Sequence, residues 1–408
     1  MAAARPILVL DDEPFMLDLL QHMLAREGFD NTVCMGDGTA ALSWLDAQDE
    51  PPPMVVLDIN MPGMDGVEFV RHLAERRFAG CLLLVSGEDE LLLQSTEKLA
   101  RAYELQTTTP LRKPPTAEAL RAALAQHLAP RAPGRHPATR KVYTAEEVHA
   151  AIEAGQLVNW YQPKVDVKTG EVVGVEALVR WQHPTDGLVF PDQFVPVAEN
   201  GGFVHELTRV VARAAVIQAR VWLDAGLKLR VAINVSMDDL STLTLADHMI
   251  AETSAEGVPP QHIQIEITES RLMRSVTSVL DQLIRLRLKR FRLSIDDFGQ
   301  GHSSLAQLRD LPFDELKIDR SFTHNAAHDG RLRAIFEASL NLGRMLGMDV
   351  VAEGVEDRDD WDLLAEKGVT IAQGYFIGRP MPADALQSWL REWEARLWQD
   401  GLLPQDHD

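Results

Sequence analysis

Apolar and polar positions along this chain alternate on two periods. In the first third, short apolar runs of buried-strand length stand at 7–10, 54–57 and 82–85, and a fourth candidate ends at Lys113-Pro114. Between the first two lies a helical pattern, apolar from Phe15 and Met16 through Leu24 and stopped by Gly28. Each run ends on polar residues: Asp11-Asp12-Glu13, Asp58, Ser86-Gly87 and Lys113. Alternating strand and helix signals predict an open parallel sheet, a doubly wound (βα)5 unit whose functional residues gather at the carboxyl ends of the strands.

From about residue 143 the pattern changes. β-branched runs at 160–167, 172–181, 229–235, 263–268, 292–296, 316–318, 349–353 and 371–376 alternate with helical patterns. About eight strands over about 250 residues predict a (β/α)8 barrel of the TIM type. Within the runs, Val173, Val175, Ala177, Val179 and Trp181 share one face while Glu176, Leu178 and Arg180 share the other. Ile263, Ile265 and Ile267 oppose Glu266; Leu293 and Ile295 oppose Asp296; Leu316 and Ile318 oppose Lys317 and Asp319. One face is buried against helices, and the other turns a polar residue into the barrel near its upper end. A proline- and arginine-containing stretch at 129–137 reads as a solvated, semi-extended connector, with no aromatic or helical motif to suggest nucleic-acid contact. The expected organisation is a first domain over 1–129, a linker over 130–142, a second domain over 143–400 and a tail over 401–408.

The length of 408 residues suits two full cores. Lys+Arg 40 against Asp+Glu 61 gives a net charge of −21, which argues against a DNA-binding surface but not against a nucleotide held by metal and a few local cations. Cys34 and Cys81 allow neither a disulfide framework nor a thiol metal site. With no signal-peptide pattern and no apolar run long enough to span a bilayer, the expectation is a cytoplasmic protein without a membrane partner.

In the first domain, Asp11, Asp12 and Asp58 would converge at the strand ends and hold a divalent cation through oxygen ligands. Beside Lys113, such a site would stabilise phosphoryl transfer onto Asp58, with Ser86 donating to the new phosphoryl oxygens. The acid pair, Asp58-Ile59-Asn60-Met61-Pro62-Gly63-Met64-Asp65-Gly66, the strand ending in Ser86-Gly87, and Lys113-Pro114 occur in the order of a response-regulator receiver domain, which residues ~5–128 resemble. The resemblance implies that Asp58 is the phosphoacceptor, that Asp11 and Asp12 bind one Mg2+, and that Ser86 and Lys113 read the phosphoryl group. It also implies a partner, a sensor histidine kinase or another phosphodonor. One departure stands out: Pro110 occupies the place, three residues before the lysine, where the family usually carries Tyr or Phe. Phosphorylation is then relayed differently or weakly, or the receiver serves mainly for dimerisation.

In the second domain, the strand ends bring Glu176, Asn234, Glu266, Asp296, Asp297, Lys317 and Glu353 to one pocket. A lone strand-end acid is more often a salt-bridge partner or a helix cap, but polar residues at successive strand ends fit that reading poorly. So many carboxylates cannot stay ionised in a low-dielectric mouth without compensating charge. Lys317 supplies one positive charge and the remainder points to divalent metal. Oxygen-only ligands favour Mg2+ or Mn2+ over Zn2+, and two ions suit in-line hydrolysis of a phosphodiester.

Glu176-Ala177-Leu178 in Glu-Ala-Leu-Val-Arg-Trp, with Tyr161-Gln162-Pro163, Asn234-Val235-Ser236, Glu266-Ile267-Thr268-Glu269, Asp296-Asp297-Phe298-Gly299, Lys317-Ile318-Asp319, Glu353-Gly354-Val355-Glu356 and Gln373-Gly374-Tyr375, resembles the EAL-domain cyclic di-GMP phosphodiesterases over residues 150–390. The whole chain is similar to receiver–EAL response regulators. The resemblance implies a TIM-like barrel with one strand reversed and hydrolysis of cyclic di-GMP to linear pGpG. It assigns metal binding to Glu176, Asn234, Glu266 and Asp296, with Asp297 at a second metal. Glu353 is a metal ligand or general base, and Lys317 positions the attacking water or stabilises the transition state. Gln162, Leu178, Arg180, Asp319, Glu356, Gln373 and Pro380 would line the substrate site. Glu269 would brace the glycine loop after the acid pair; by position alone it reads equally as a helix N-terminal acid. In that loop Gln300 stands where a small residue is usual and His302 where Tyr is common. By family analogy a homo-oligomer is expected. The competing reading is a catalytically silent cyclic di-GMP receptor signalling by conformation. Silent members usually lack a metal acid or the lysine, and none is missing here. No helix-turn-helix pattern supports a transcription regulator.

Overall fold

A computed structural model describes residues 5–48, 50–87, 90–128, 141–269, 276–299, 308–309 and 311–403. Residues 129–140, which hold most of the expected linker, and Gln300 and His302 lie outside the described residues. The chain divides into two compact units, Met1–Thr139 and Arg140–Asp408.

The first unit is a parallel sheet of β1 (Ile7–Leu10), β2 (Thr32–Met35), β3 (Met54–Asp58), β4 (Cys81–Ser86), β5 (Gln106–Thr107) and β6 (Leu111–Arg112), in the order β2-β1-β3-β4-β5, with β6 also on β4. Every residue of β1, β3 and β4 is buried, because helices cover both faces; Leu8, Leu57 and Leu84 pack with Phe69 on one side and Val9, Val56 and Leu83 with Leu20 and Leu120 on the other. The edge strand β2 is short, with Thr32 ahead of three apolar residues, and all four of its residues are only half-buried, so its hydrophobic signal is weak. The fifth strand position is filled by two pieces, with Leu82 opposite Thr107 and Val85 opposite Leu111. Pro110 falls in the gap, where a residue without an N–H cannot extend the ladder.

The second unit is a barrel built from β7 (Leu157–Asp166), β8 (Val172–His183), β9 (Gly187–Val189), β10 (Arg230–Asn234), β11 (Ile263–Thr268), β12 (Arg292–Phe298), β13 (Glu315–Ile318), β14 (Asp349–Ala352) and β15 (Ile371–Ala372). Pairing of β8 with β10 closes eight of them into a ring, and β9 is a hairpin extension of β8. The strand β7 runs antiparallel to both β8 and β15, while the other neighbours in the ring are parallel. All eight expected strands are present. The last is shorter than the expected 371–376: after Ala372 the chain turns at Gly374, whose Cβ position is filled by the backbone of Val355.

The outward faces pack on amphipathic helices. Helix Val204–Asp224 buries Leu207, Val211, Ala215, Ala219 and Trp222, spaced to form one stripe. Inside the ring, the usual branched apolar filling is replaced by Lys164, Glu176, Gln264, Glu266, Ser294, Asp296, Glu315 and Lys317, all buried. The unit begins with Tyr143, its ring tilted against Trp181 at 4.6 Å between ring centroids, and with Lys141 paired to Asp186 at 2.8 Å. Thr144 and Glu147 form a capping box that starts helix Ala145–Glu153. Among the described residues, no helix is long and apolar enough to cross a membrane.

Closure of the ring depends on close backbone approach at Gly174. A Cβ there would meet Arg230 O at 2.7 Å. Gly174→Ala is expected to lower stability by about 1–3 kcal/mol through overpacking, read as a reduced urea midpoint of the full chain; an unchanged midpoint would show that β8 and β10 separate freely.

Candidate functional site

The strand ends of the barrel converge on the ammonium of Lys317. It is 1% exposed. Its Nζ lies 2.7 Å from Glu353 Oε1, 2.9 Å from Glu266 Oε2, 2.9 Å from Asp296 Oδ1 and 3.7 Å from Glu176 Oε2. Alternation along each strand explains the convergence. Glu176, Glu266, Asp296 and Lys317 each oppose a buried apolar neighbour, and Glu353 directly follows β14 with its N–H on Ile318 O at 3.1 Å.

Asp296 and Asp297 are consecutive, so a regular strand would send them to opposite faces. Asp297 instead takes φ +54°, and the β12–β13 register slips between Ile295 and Phe298. Asp is one of the few residues that tolerates this left-handed step, and the step brings both carboxylates to the same site. Asp297 N donates to Asp296 Oδ1 at 2.9 Å.

Charge balance sets the protonation of the group. Burial pushes the Lys317 ammonium down, but the surrounding carboxylates outweigh it and hold the charge firmly on. Burial also pushes Glu266 up, and here Lys164 and Lys317 outweigh it, holding the carboxyl at about 2. Glu176 and Glu353 are raised, chiefly by burial. Asp297 is pushed up to about 6, by burial first and then by Asp296 and Asp319. Neutral donors complete the first ring: Asn234 Nδ2 reaches Glu176 Oε1 at 2.7 Å and Gln373 Nε2 reaches Glu176 Oε2 at 2.6 Å.

Lys317 is not the single cation expected from the strand pattern. Lys164, also buried, donates to Glu266 Oε1 at 2.5 Å and lies 3.6 Å from Glu315. Glu315 accepts from Ser294 Oγ at 3.0 Å and from Gln264. The signal for Lys164 was present in the chain, since it stands two residues after Gln162 on one strand and therefore on the same face.

Two acidic sets share Asp296: Glu176, Glu266 and Asp296 form one, and Asp296, Asp297 and Glu353 the other. Within each, the ligand oxygens lie within 4.8 Å of one another. Neither set contains Cys or His, so the donors suit a hard divalent cation.

Above them opens a cleft of about 300 Å3 lined by Gln162, Leu178, Glu356, Gln373, Arg320 and Tyr375, with Glu176, Asp296, Asp297, Glu353 and Lys317 at its floor. The last two of these wall residues were not anticipated. Three further residues expected at the substrate site have these surroundings. Arg180 lies over the rings of Phe190 (5.1 Å) and Trp160 (5.9 Å) and donates to Val179 O. Asp319 caps helix Arg320–Thr323 through Ser321 N at 2.8 Å and neighbours Asp297. Pro380 is half-buried. Glu269, 3% exposed, accepts from Gly299 N at 2.8 Å and so ties down the first residue of the glycine loop.

In the first unit, Lys113 Nζ lies 2.8 Å from both Asp11 Oδ2 and Asp58 Oδ2. Asp11, Asp12 and Asp58 form a third acidic set with ligand oxygens within 4.8 Å. Burial raises the Asp58 carboxyl, against Lys113. Ser86 is fully buried at the end of β4. Gly66 lets its loop pack on β3, since a Cβ there would meet Asp58 O at 2.6 Å.

The comparisons with known proteins agree with this geometry. The EAL domain family matches residues 145–380 and the response regulator receiver domain family residues 7–125. The cyclic di-GMP phosphodiesterase RocR of Pseudomonas aeruginosa is 32% identical over 381 residues, covering 92% of this chain and 96% of RocR. The bifunctional diguanylate cyclase/cyclic di-GMP phosphodiesterase MucR of the same organism is 40% identical over 250 residues, 61% of this chain but only 36% of MucR. Among solved structures, the MucR phosphodiesterase in complex with cyclic di-GMP superposes with a TM-score of 0.57 at 41% identity, over 59% of this chain and 98% of that one. An EAL domain protein from Listeria monocytogenes gives 0.55 at 31% identity, over 61% and 98%.

Lys164→Met is expected to cost about 3 kcal/mol at neutral pH, because it leaves Glu266 with one cation in place of two. A depressed carboxyl contributes stability above its unfolded value of 4.5 and loses it as pH falls through its folded value of about 2. The deficit of the variant against wild type should therefore shrink as pH falls from 4.5 towards 2. Urea midpoints across that range test this, and a deficit that does not vary with pH would exclude the ion pair as its source.

Proposed function

The chain belongs to the EAL domain family, with a response regulator receiver domain ahead of it, and we propose from this and from the cleft that it hydrolyses cyclic di-GMP to linear pGpG, under control of phosphorylation at Asp58. The observation that carries the reading is the complete set of carboxylates around Lys317, at and beneath the floor of one cleft. A silent receptor would be expected to lack one of them.

Glu176, Asn234, Glu266 and Asp296 would hold one Mg2+ or Mn2+ ion, and Asp297 with Asp296, and Glu353 where it serves as ligand, a second. Such ions supply water activation and neutralise charge developing on the phosphate. The residues of the chain do the rest. In the reaction, a water oxygen bonds to phosphorus, the P–O3′ bond breaks, and a proton reaches the departing O3′. Lys317 favours the ionised form of the surrounding acids and donates to the attacking water or to a phosphate oxygen. Glu353, raised by burial, is suited to take the proton of the water when it is not a ligand. Gln162, Leu178, Glu356 and Gln373 hold the dinucleotide from the walls. Arg180, Asp319 and Pro380 complete the substrate contacts at the margin, Arg180 offering its guanidinium to a phosphate oxygen.

In the receiver, Asp11 and Asp12 would hold Mg2+ beside Asp58, and a histidine kinase or small phosphodonor supplies the phosphoryl group. Lys113 and Ser86 then bind its oxygens, and Lys113 gives up its present ion pair with Asp58 as the new charge arrives.

Chromatography of cyclic di-GMP incubated with the protein and Mg2+ tests the activity; binding without pGpG would favour the silent receptor. Glu353→Ala is expected to lower turnover at least about 100-fold with the fold intact by circular dichroism; substantial metal-dependent turnover in that variant would remove the assigned role. Asp58→Asn is expected to abolish the change in turnover that a phosphodonor produces in wild type. Equal wild-type rates with and without donor would reject phospho-control.

A further inference from the structure

Two loops at the mouth of the barrel are tied together by one buried carboxylate. Asp360, in the first turn of helix Arg358–Lys367, is 1% exposed. Its Oδ2 accepts from His324 Nδ1 at 2.8 Å and from Glu356 N at 3.0 Å, and its Oδ1 accepts from Asn325 N at 3.1 Å. The first and third donors belong to the loop after β13, the second to the loop after β14. A carboxylate only accepts, so the ring nitrogen of His324 that faces it carries the proton.

The far nitrogen of the ring, Nε2, lies 3.7 Å from Glu356 Oε2, and Arg320 pairs with Glu356 Oε1. His324 thus bridges the buried acid to a carboxylate of the cleft wall. The backbone around it has little freedom. Asn325 sits at φ +65°, and the Cβ position of Gly354 is occupied by the side chain of Arg320. His324, Asp357 and Asp360 are also close enough to hold a cation. However, both oxygens of Asp360 already accept protein donors, and Asp357 Oδ1 accepts from Asp360 N at 2.9 Å.

We propose that His324 and Asp360 are positioning residues that fix Glu356 against the cleft, and thereby set the affinity for the cyclic dinucleotide more than the rate of P–O cleavage. Glu353, three residues earlier, is held independently by Lys317 and by its N–H on Ile318 O. Loss of the clamp therefore releases the binding wall and leaves the reacting centre in place. The inference rests on the cleft being the cyclic di-GMP site.

Steady-state kinetics of the full chain with cyclic di-GMP and Mg2+ test it. His324→Leu is expected to raise KM about tenfold, the effect of one charge-assisted hydrogen bond, with kcat kept within about twofold. His324→Asn, whose amide N–H can stand in for Nδ1–H, is expected to restore KM. Asp360→Asn, which keeps the shape but removes the charge, should raise KM as His324→Leu does, and carries the test alone if the leucine variant does not fold. Unchanged KM in both, or a fall in kcat at constant KM, overturns the proposal while leaving the activity intact. Absence of turnover and of binding in wild type would instead overturn the assigned activity, and this inference with it.

Discussion

The barrel is organised around a cation that would be unstable without its neighbours, and around neighbours that would be unstable without it. A buried ammonium or a buried carboxylate alone costs several kcal/mol, and the penalty is offset only where opposite charges and hydrogen bonds surround it. Lys317 meets that condition with four carboxylates within 4.0 Å. Lys164 meets it one layer below with Glu266 and Glu315. Glu266 touches both lysines, so the two layers are electrostatically one body. This explains why an interior of charges can replace the branched apolar filling of an ordinary barrel. It also explains why the acids of the cleft are so well ordered by strands: each is fixed by a partner that another strand supplies.

The receiver repeats the arrangement on a smaller scale. Acids gather at the ends of β1 and β3, and Lys113 reaches across from beyond β6 to touch two of them. In both units a lysine holds like charges together at the carboxyl ends of parallel strands. The architectures differ, but the electrostatic problem and its solution are the same.

Much of this was legible in the chain because burial writes itself into periodicity. Strands covered on both faces read as unbroken apolar runs, as at Val55–Val56–Leu57; barrel strands read as alternation, as at Ile263–Gln264–Ile265–Glu266. What escaped detection lacked those signals. The strand Thr32–Met35 sits at a sheet edge and is only half-buried. Glu315 looks like a solvent-facing position, since nothing local distinguishes a polar residue turned into a charged interior from one turned to water. The left-handed turn at Asp297 depends on a register slip between two strands distant in sequence, which no window along the chain contains.

The reversal of β7 has a consequence for how the barrel is entered. In an all-parallel barrel the first strand starts at the end opposite the active face. Here Leu157, the first residue of β7, pairs with Trp181 near the upper end of β8, the strand that carries Glu176. Tyr143 and Lys141 are fastened to the same hairpin, at Trp181 and Asp186. The polypeptide therefore arrives at the barrel on its catalytic side. A displacement passed along the backbone into this unit has no barrel length to cross; it is delivered within a few residues of the cleft it would have to alter.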